Sequence, residues 1–257
     1  MGAEPITFAP MTGTTLHVMV GAASHTGLIR ERNEDSAAIT QNIYAVADGM
    51  GGHAAGDVAS RIAVAAMMRL AAHDNVASSD EVVAAIVEAN RDILDAVAED
   101  ARQAGMGTTL TGVAIVDRDG RRQWAVFNVG DSRVYRFAAD VLTQVTVDHS
   151  EVEELVTAGR LTPAEAKVYA RRNVVTRSLG TVPAPKADIW VLEPAAPERF
   201  LICSDGLTLE LDDDQIAEIL SDEPEAQRAA DRLVAATLQA GGRDNVTVLI
   251  IDNVESS

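Results

Sequence analysis

The chain has 257 residues, enough to bury one large core without covalent staples, and its 39 acidic against 21 basic residues give a formal charge of -18. That field repels nucleic acid and anionic lipid at long range, and a single cysteine, Cys203, excludes an internal disulfide framework and fits a reducing, cytoplasmic setting. The first sixteen residues carry no basic cluster, Ile6 stands where an acylation signal needs Ser or Thr, and no uncharged apolar run approaches membrane-spanning length, so the expectation is a soluble, unanchored protein.

Behind a lead-in over 1–16, strands are expected at 17–23, in a run closing at Ile39, and at 43–47. From His53 to Ala72 the chain is Ala-rich, and Val58, Ile62 and Ala66 with Ala59, Ala63, Met67 and Leu70 supply one apolar helical face. Ser78–Glu81 reads as a capping box for a second helix, striped by Val82, Ile86, Ile93 and Val97 and stopped by Gly105; Asn90 in that stripe reads as a satisfied contact between helices. Four β-rich runs follow at 109–117, 122–130, 133–137 and 141–147, separated by Asp119-Gly120, Gly130-Asp131 and Ala139-Asp140 in the rhythm of an antiparallel meander. Residues 148–180 turn polar and helical, with a capping signature at Thr162–Glu165, and interrupt the strand pattern as a long insertion. Strands return at 188–192 and 199–203, the latter holding Cys203 as a buried thiol; helices cover about 212–240, Gly241-Gly242 ends the last, and VTVLIID closes the sheet. Two helices early, two late and antiparallel strands between predict an α+β domain of sheets sandwiched by helices, over 17–252, with 253–257 as a tail.

Four aspartates, Asp48, Asp131, Asp205 and Asp244, recur beside Gly, Ser or Asn at the edge of an apolar run, in AVADGMGG, FNVGDSR, LICSDGL and GGRDNVTVLIID. Each alone reads as an ordinary turn, because Asp-Gly and Asp-Asn suit tight turns. Four together point to one rim of a sheet, where massed carboxylates form an oxygen-rich pocket for hard divalent cations. The net charge would repel a phosphorylated substrate, so a site for one needs bound cations and a placed Arg. Residues 27–35 pack Arg30, Arg32, Glu34 and Asp35 into one connection ahead of a strand. A guanidinium fork matches two phosphate oxygens, and the acids can hold cation-bound waters; the plain alternative is a surface ion-pair loop.

The segments GLIRERNEDS, VADGMGGHAAGDVAS, MGTTL, VGDSRVY, DHSEVEELVTAGRLTPAEA, RRNVVTRSLG, CSDGL and GGRDNVTV stand in the order found in the metal-dependent serine/threonine protein phosphatases, the protein phosphatase 2C or PPM family. The resemblance runs from about 17 to 252 and is closest in style to bacterial members. It implies a central antiparallel β-sandwich flanked on both faces by pairs of helices, with a Mn²⁺ or Mg²⁺ centre of two core ions at one end and a third, weaker site. By motif, Asp48 resembles the carboxylate bridging both metals, Gly49 offers its backbone carbonyl, Asp205 and Asp244 bind the first metal, and Glu34 and Asp35 act through water. Asp131 is similar to the acid that shares the third site with Asp205, Arg30 to the phosphate-binding Arg, and 148–180 to the mobile flap, while Arg32 reads as structural or exposed. The implied chemistry uses two cations roughly 3.5 to 4 Å apart that share and activate one water for in-line attack, with no protein nucleophile.

Two departures matter. Some eukaryotic relatives place a His directly after the Asp-Gly pair as the acid, and this chain has Met50 there. His53 nearby reads as a capping or packing residue, which leaves a cation-bound water as the proton source. In the insertion, Tyr169-Ala170 replaces a His-Pro pair often seen before RRN. His17, His25, His73 and His149 lack paired metal spacing and read as structural or exposed. The expected partners are phosphorylated proteins that a serine/threonine kinase supplies, with no nucleic acid and no membrane, acted on by a monomer. The alternatives are a noncatalytic pseudophosphatase or regulatory binding module of the same fold, and a simple divalent-ion binder, which would leave Arg30 unexplained.

Overall fold

Many strand segments are apolar on both alternating sets of residues, so those strands need cover on two faces. In the computed structural model, which describes residues 16–51, 55–73 and 76–254, two stacked antiparallel sheets with helices outside them provide it. One sheet joins β1 (His17–His25), β11 (Val246–Val254), β10 (Glu198–Cys203), β7 (Arg133–Ala138) and β8 (Val141–Gln144) in that order. The other joins β2 (Asp35–Ile39), β3 (Ile43–Met50), β5 (Leu110–Arg118), β6 (Arg121–Val129) and β9 (Asp188–Leu192), with the short β4 (Gly107–Thr108) on the end of β3.

Side-chain alternation sorts three apolar layers. On β3, Tyr44 and Val46 join Val113, Trp124, Phe200, Ile202, Leu249 and Ile251 between the sheets, where Trp124 meets Phe200 edge-on at 5.3 Å. Ile43, Ala45 and Ala47 face the other way, against α1 (Gly56–Ala71) and α2 (Ser79–Glu99). Val246, Val248 and Ile250 of β11 likewise face α5 (Asp205–Thr208), α6 (Asp213–Asp222) and α7 (Ala226–Ala240). The insertion holds α3 (Glu151–Thr157) and α4 (Pro163–Ala166). The α+β class and its helix, sheet, sheet, helix layering are therefore as expected. So are the capping boxes at Ser78/Glu81 and Thr162/Glu165 and the hairpin turns at Asp119-Gly120 and Ala139-Asp140, whose φ values are all positive.

Several local expectations are corrected. Asp48-Gly49 is no turn: β3 runs straight through to Met50, because β2 pairs with it as far as Asp48 and β4 pairs with Gly49 and Met50. Gly130-Asp131 is no hairpin either, since β6 and β7 belong to different sheets and this turn carries the chain from one to the other. Asn90 does not bridge helices: it donates to Thr181 O and accepts from the Gly180 and Thr181 amides. The second helix ends at Glu99, ahead of Gly105, and a turn of 3₁₀ helix at Ala101–Gln103 follows. Leu16 is buried, and β11 extends to Val254, two residues into the segment read as a tail. His53, residues 1–15 and residues 255–257 lie outside the described residues.

Candidate metal and active site

The acids gather at one end of the sandwich. β2 opens on Asp35 and pairs antiparallel with β3 in the register Asp35↔Asp48. The Asp48 backbone is pinned: its N–H donates to Thr109 Oγ1 at 2.9 Å and its carbonyl accepts from Thr109 N at 2.9 Å and Thr108 Oγ1 at 2.8 Å. The Gly49 N–H donates to Glu34 O at 3.2 Å, and a Cβ on Gly49 would stand 2.2 Å from Gly56 O, so glycine is what lets α1 start hard against β3. From the other sheet, Asp205 begins α5 directly after β10, and Asp244 lies just ahead of β11. Asp131 stands in the crossing between sheets, next to Ser132, whose hydroxyl meets Thr109 Oγ1 at 2.8 Å.

The loop carrying Arg30 and Glu34 is secured by one side chain. Asn245 Oδ1 accepts from the Glu34 amide at 2.9 Å, while its Nδ2 donates to Thr26 O and Arg32 O, both at 2.8 Å. Arg32 itself is exposed. The Arg30 side chain keeps 54% of its surface in solvent and its Nη2 donates to Asp244 Oδ2 at 2.7 Å. That bond, together with the Asp48 and Asp205 charges, raises the guanidinium pKa further. Arg30 thus faces the acid cluster with most of its fork free.

The electrostatics show a deficit of positive charge. Burial, then the charge of Asp205, pushes Asp131 up to about 8; burial also pushes Asp35 up to about 7, against the Ser204 hydroxyl that donates to its Oδ2 at 2.7 Å. Asp48 is driven well above the carboxylate range by burial and by Asp35, and Asp205 is raised by burial and by Asp244. The charges of Asp35, Asp205, Asp131 and Asp244 all act on Asp48, and carboxylates crowded in this way resist ionising together. Burial also raises Glu34, with the Asp57 charge adding to it.

Among the described residues, no three His, Cys, Asp or Glu side chains are already gathered as a ligating group. Protein partners hold two of the carboxylates elsewhere: Asp244 is taken by Arg30 and by the Asn245 amide, and Asp35 by Ser204. The donor set nevertheless fits hard divalent cations. It is all carboxylate oxygen plus one backbone carbonyl, its charges repel one another, and Asp35 Oδ1 is buried without a hydrogen-bond partner. A cation would offset the crowded negative charge and answer that orphaned oxygen.

A cleft of about 650 Å³ leads away from Asp131 and Asp205, between the insertion, through Lys167 and Arg172, and the start of α6 at Asp213 and Asp214. Cys203 offers no nucleophile, since burial pushes its thiol up to about 12. His17 is half-buried and His25 and His73 are exposed, whereas His149 is buried. Tyr169 bonds to Glu151 within the insertion at 2.9 Å. The positioning residues Thr109, Ser204 and Asn245 are not apparent from the aspartates alone; the signal that could have found them is the polar neighbour inside each motif, TT, SDG and RDN.

A family model described as protein phosphatase 2C matches residues 30–245. The serine/threonine protein phosphatase PstP of Mycobacterium tuberculosis is 39% identical over 248 residues, covering 95% of this chain and 47% of that protein. The chain thus spans about half the length of that curated relative. The serine/threonine phosphatase stp of Listeria innocua is 34% identical over 236 residues, covering 88% of this chain and 92% of its own length. Among solved structures, the catalytic domain of PstP in complex with two manganese ions superposes with a TM-score of 0.83 at 37% identity, over 94% of this chain and 100% of that one.

Proposed function

The chain belongs to the protein phosphatase 2C family, and from that premise we propose that it hydrolyses phosphoserine and phosphothreonine in proteins with the help of divalent cations. The observation that carries the reading is a rim of five carboxylates, Asp35, Asp48, Asp131, Asp205 and Asp244, the last of them bonded to one guanidinium, Arg30, which still has donors to spare. Asp48, the Gly49 carbonyl, Asp205 and Asp244 would hold two Mn²⁺ or Mg²⁺ ions, and Glu34 and Asp35 would act on them through water. Asp131 and Asp205 are assigned a third, weaker ion. When bound, such cations acidify a shared water and neutralise phosphoryl oxygens.

The protein's own groups supply orientation and charge. Asp244 holds Arg30 by one nitrogen, which turns the rest of the fork towards two oxygens of a phosphate monoester. Ser204 fixes one oxygen of Asp35 and leaves the other turned inward, and the Thr108, Thr109 and Asn245 hydrogen bonds stop the carboxylates from retreating into solvent. The cleft of about 650 Å³ beside Asp131 is assigned to the peptide on one side of the phosphorylated residue, with residues 148–180 as its flap. No helix among the described residues is long and apolar enough to cross a membrane. The same proposal takes the protein as a cytoplasmic monomer that opposes a serine/threonine kinase in signalling. The test is phosphate release from a phosphothreonine peptide. Release is expected with Mn²⁺, absent with chelator and absent in Asp205→Ala; folded protein that gives no turnover at any Mn²⁺ or Mg²⁺ concentration would leave only the noncatalytic reading.

A further inference from the structure

His149 is the one histidine fully enclosed among the described residues, at 4% exposure, and the Asp244, Asp205 and Asp48 chemistry does not use it. Its backbone and ring both grip the peptide that precedes Asp131: His149 N donates to Gly130 O at 2.9 Å, and Gly130 N donates to His149 Nδ1 at 3.1 Å. Gly130 has a φ of +113°, and a Cβ there would press on the Thr109 side chain at 2.5 Å, so the turn is fixed by this clamp and by Thr109 with little room to choose another path.

The clamp also settles the tautomer. A backbone N–H can only donate, so Nδ1 carries a lone pair and the proton of the neutral ring sits on Nε2. Nε2–H then donates to Asp188 Oδ2 at 3.0 Å, and Arg177 Nη1, 3.1 Å from the same nitrogen, is held by Asp188 Oδ1 at 3.2 Å and not by the ring. His149 O accepts from Thr176 N at 2.7 Å, which joins the two legs of the 148–180 insertion at their base. One residue therefore ties the root of the insertion, the edge strand β9 and the turn that presents Asp131.

We infer that His149 is a positioning residue that sets the Asp131 carboxylate for its cation and couples that setting to the base of the insertion. The inference rests on the reading of Asp131 as a ligand of the weaker ion. Mn²⁺ binding isotherms on the full chain test it, with a Mn²⁺ titration of each variant read beside its thermal unfolding. His149→Ala is expected to weaken the weaker ion about 10-fold or more, the usual cost of losing a partner that orients a ligand, and to leave the two tight ions unchanged. His149→Asn, whose side-chain oxygen can take the place of Nδ1, is expected to recover most of that affinity. Asp131→Asn is the control: it loses the weaker ion if Asp131 binds one. If Asp131→Asn loses that ion while folded His149→Ala keeps wild-type binding, or His149→Asn recovers nothing, the positioning role is wrong and the ligand reading stands. If Asp131→Asn keeps the ion, the ligand reading fails and the inference with it. Should His149→Ala not fold, Asp188→Asn carries the same test by loosening the ring from the Nε2 side.

Discussion

Strands β10 and β11 run between two groups of acids, one at each end, and the two ends are built on opposite plans. At one end Glu198 accepts from Trp124 Nε1, the Ala195 amide and Asn253 Nδ2 and pairs with Arg136 at 2.6 Å. Asp252 takes a two-point bond from Arg199 at 2.6 and 2.8 Å, and that guanidinium spends its remaining donors on the Leu220, Glu223 and Pro224 carbonyls. At the other end Asp205 and Asp244 stand with Asp35, Asp48 and Asp131, and among the described residues Arg30 is the one cation bonded to any of them. A buried carboxylate by itself therefore marks nothing. What separates a structural end from a chemical one is whether the chain provides the counter-charge or leaves it to be recruited.

The contrast breaks most visibly by substitution. Asp205→Ala or Asp48→Asn is expected to lower Mn²⁺-dependent turnover of a phosphothreonine peptide by about 10²- to 10³-fold, the scale of losing a preorganised electrostatic contact at the reacting charge, with folding intact by circular dichroism. Asp252→Ala should do the reverse. It strands Arg199 in the interior and is expected to cost about 3–5 kcal/mol in urea unfolding, with turnover per folded molecule unchanged. Loss of activity without loss of stability in Asp252→Ala would erase the distinction between the ends.

The pH dependence of the metal-free protein sharpens it. Asp35 and Asp131 hold protons in the folded state up to about 7 and about 8, whereas the unfolded chain releases them near the ordinary carboxylate value of about 4. Between those limits the folded state binds more protons than the unfolded one. The stability these groups contribute is complete below about pH 4 and is lost as pH rises through about 8. Unfolding midpoints measured with chelator should fall across that window, and Mn²⁺ should flatten the fall by taking the place of the protons. A midpoint that rises with pH in the absence of metal would show that the rim is not short of positive charge. The mildest change is Arg30→Ala, expected to raise KM for the phosphopeptide roughly 10- to 100-fold, the worth of one or two charged hydrogen bonds, with little effect on stability because the side chain is exposed.

Much of this was legible in the sequence for a physical reason: capping boxes, positive-φ hairpins and helical stripes are local, and each of them appears where its residues stand. The errors cluster where a distant partner decides. Asp48-Gly49 has turn chemistry, yet strands β2 and β4 recruit it into β3. The residues around Gly130-Asp131 look like a hairpin, because an alternating pattern cannot say which of two sheets the next strand will join. Asn90 faces a loop ninety residues away in sequence, and α5 is too short at 4 residues to show a period. The acids themselves were visible as a set, but their supporters Ser204, Thr109, Asn245 and His149 are ordinary polar residues until the fold aims them.

The two sheets contribute to the rim separately: Asp35 and Asp48 arrive with one, Asp205 and Asp244 with the other, and Asp131 with the crossing between them. The set spans positions 35 to 244, so it cannot assemble on a nascent chain until β11 has left the ribosome and the sandwich has closed. If these acids hold the cations, Mn²⁺ is expected to act as a latch on the finished product, slowing unfolding in urea while leaving the refolding rate nearly unchanged.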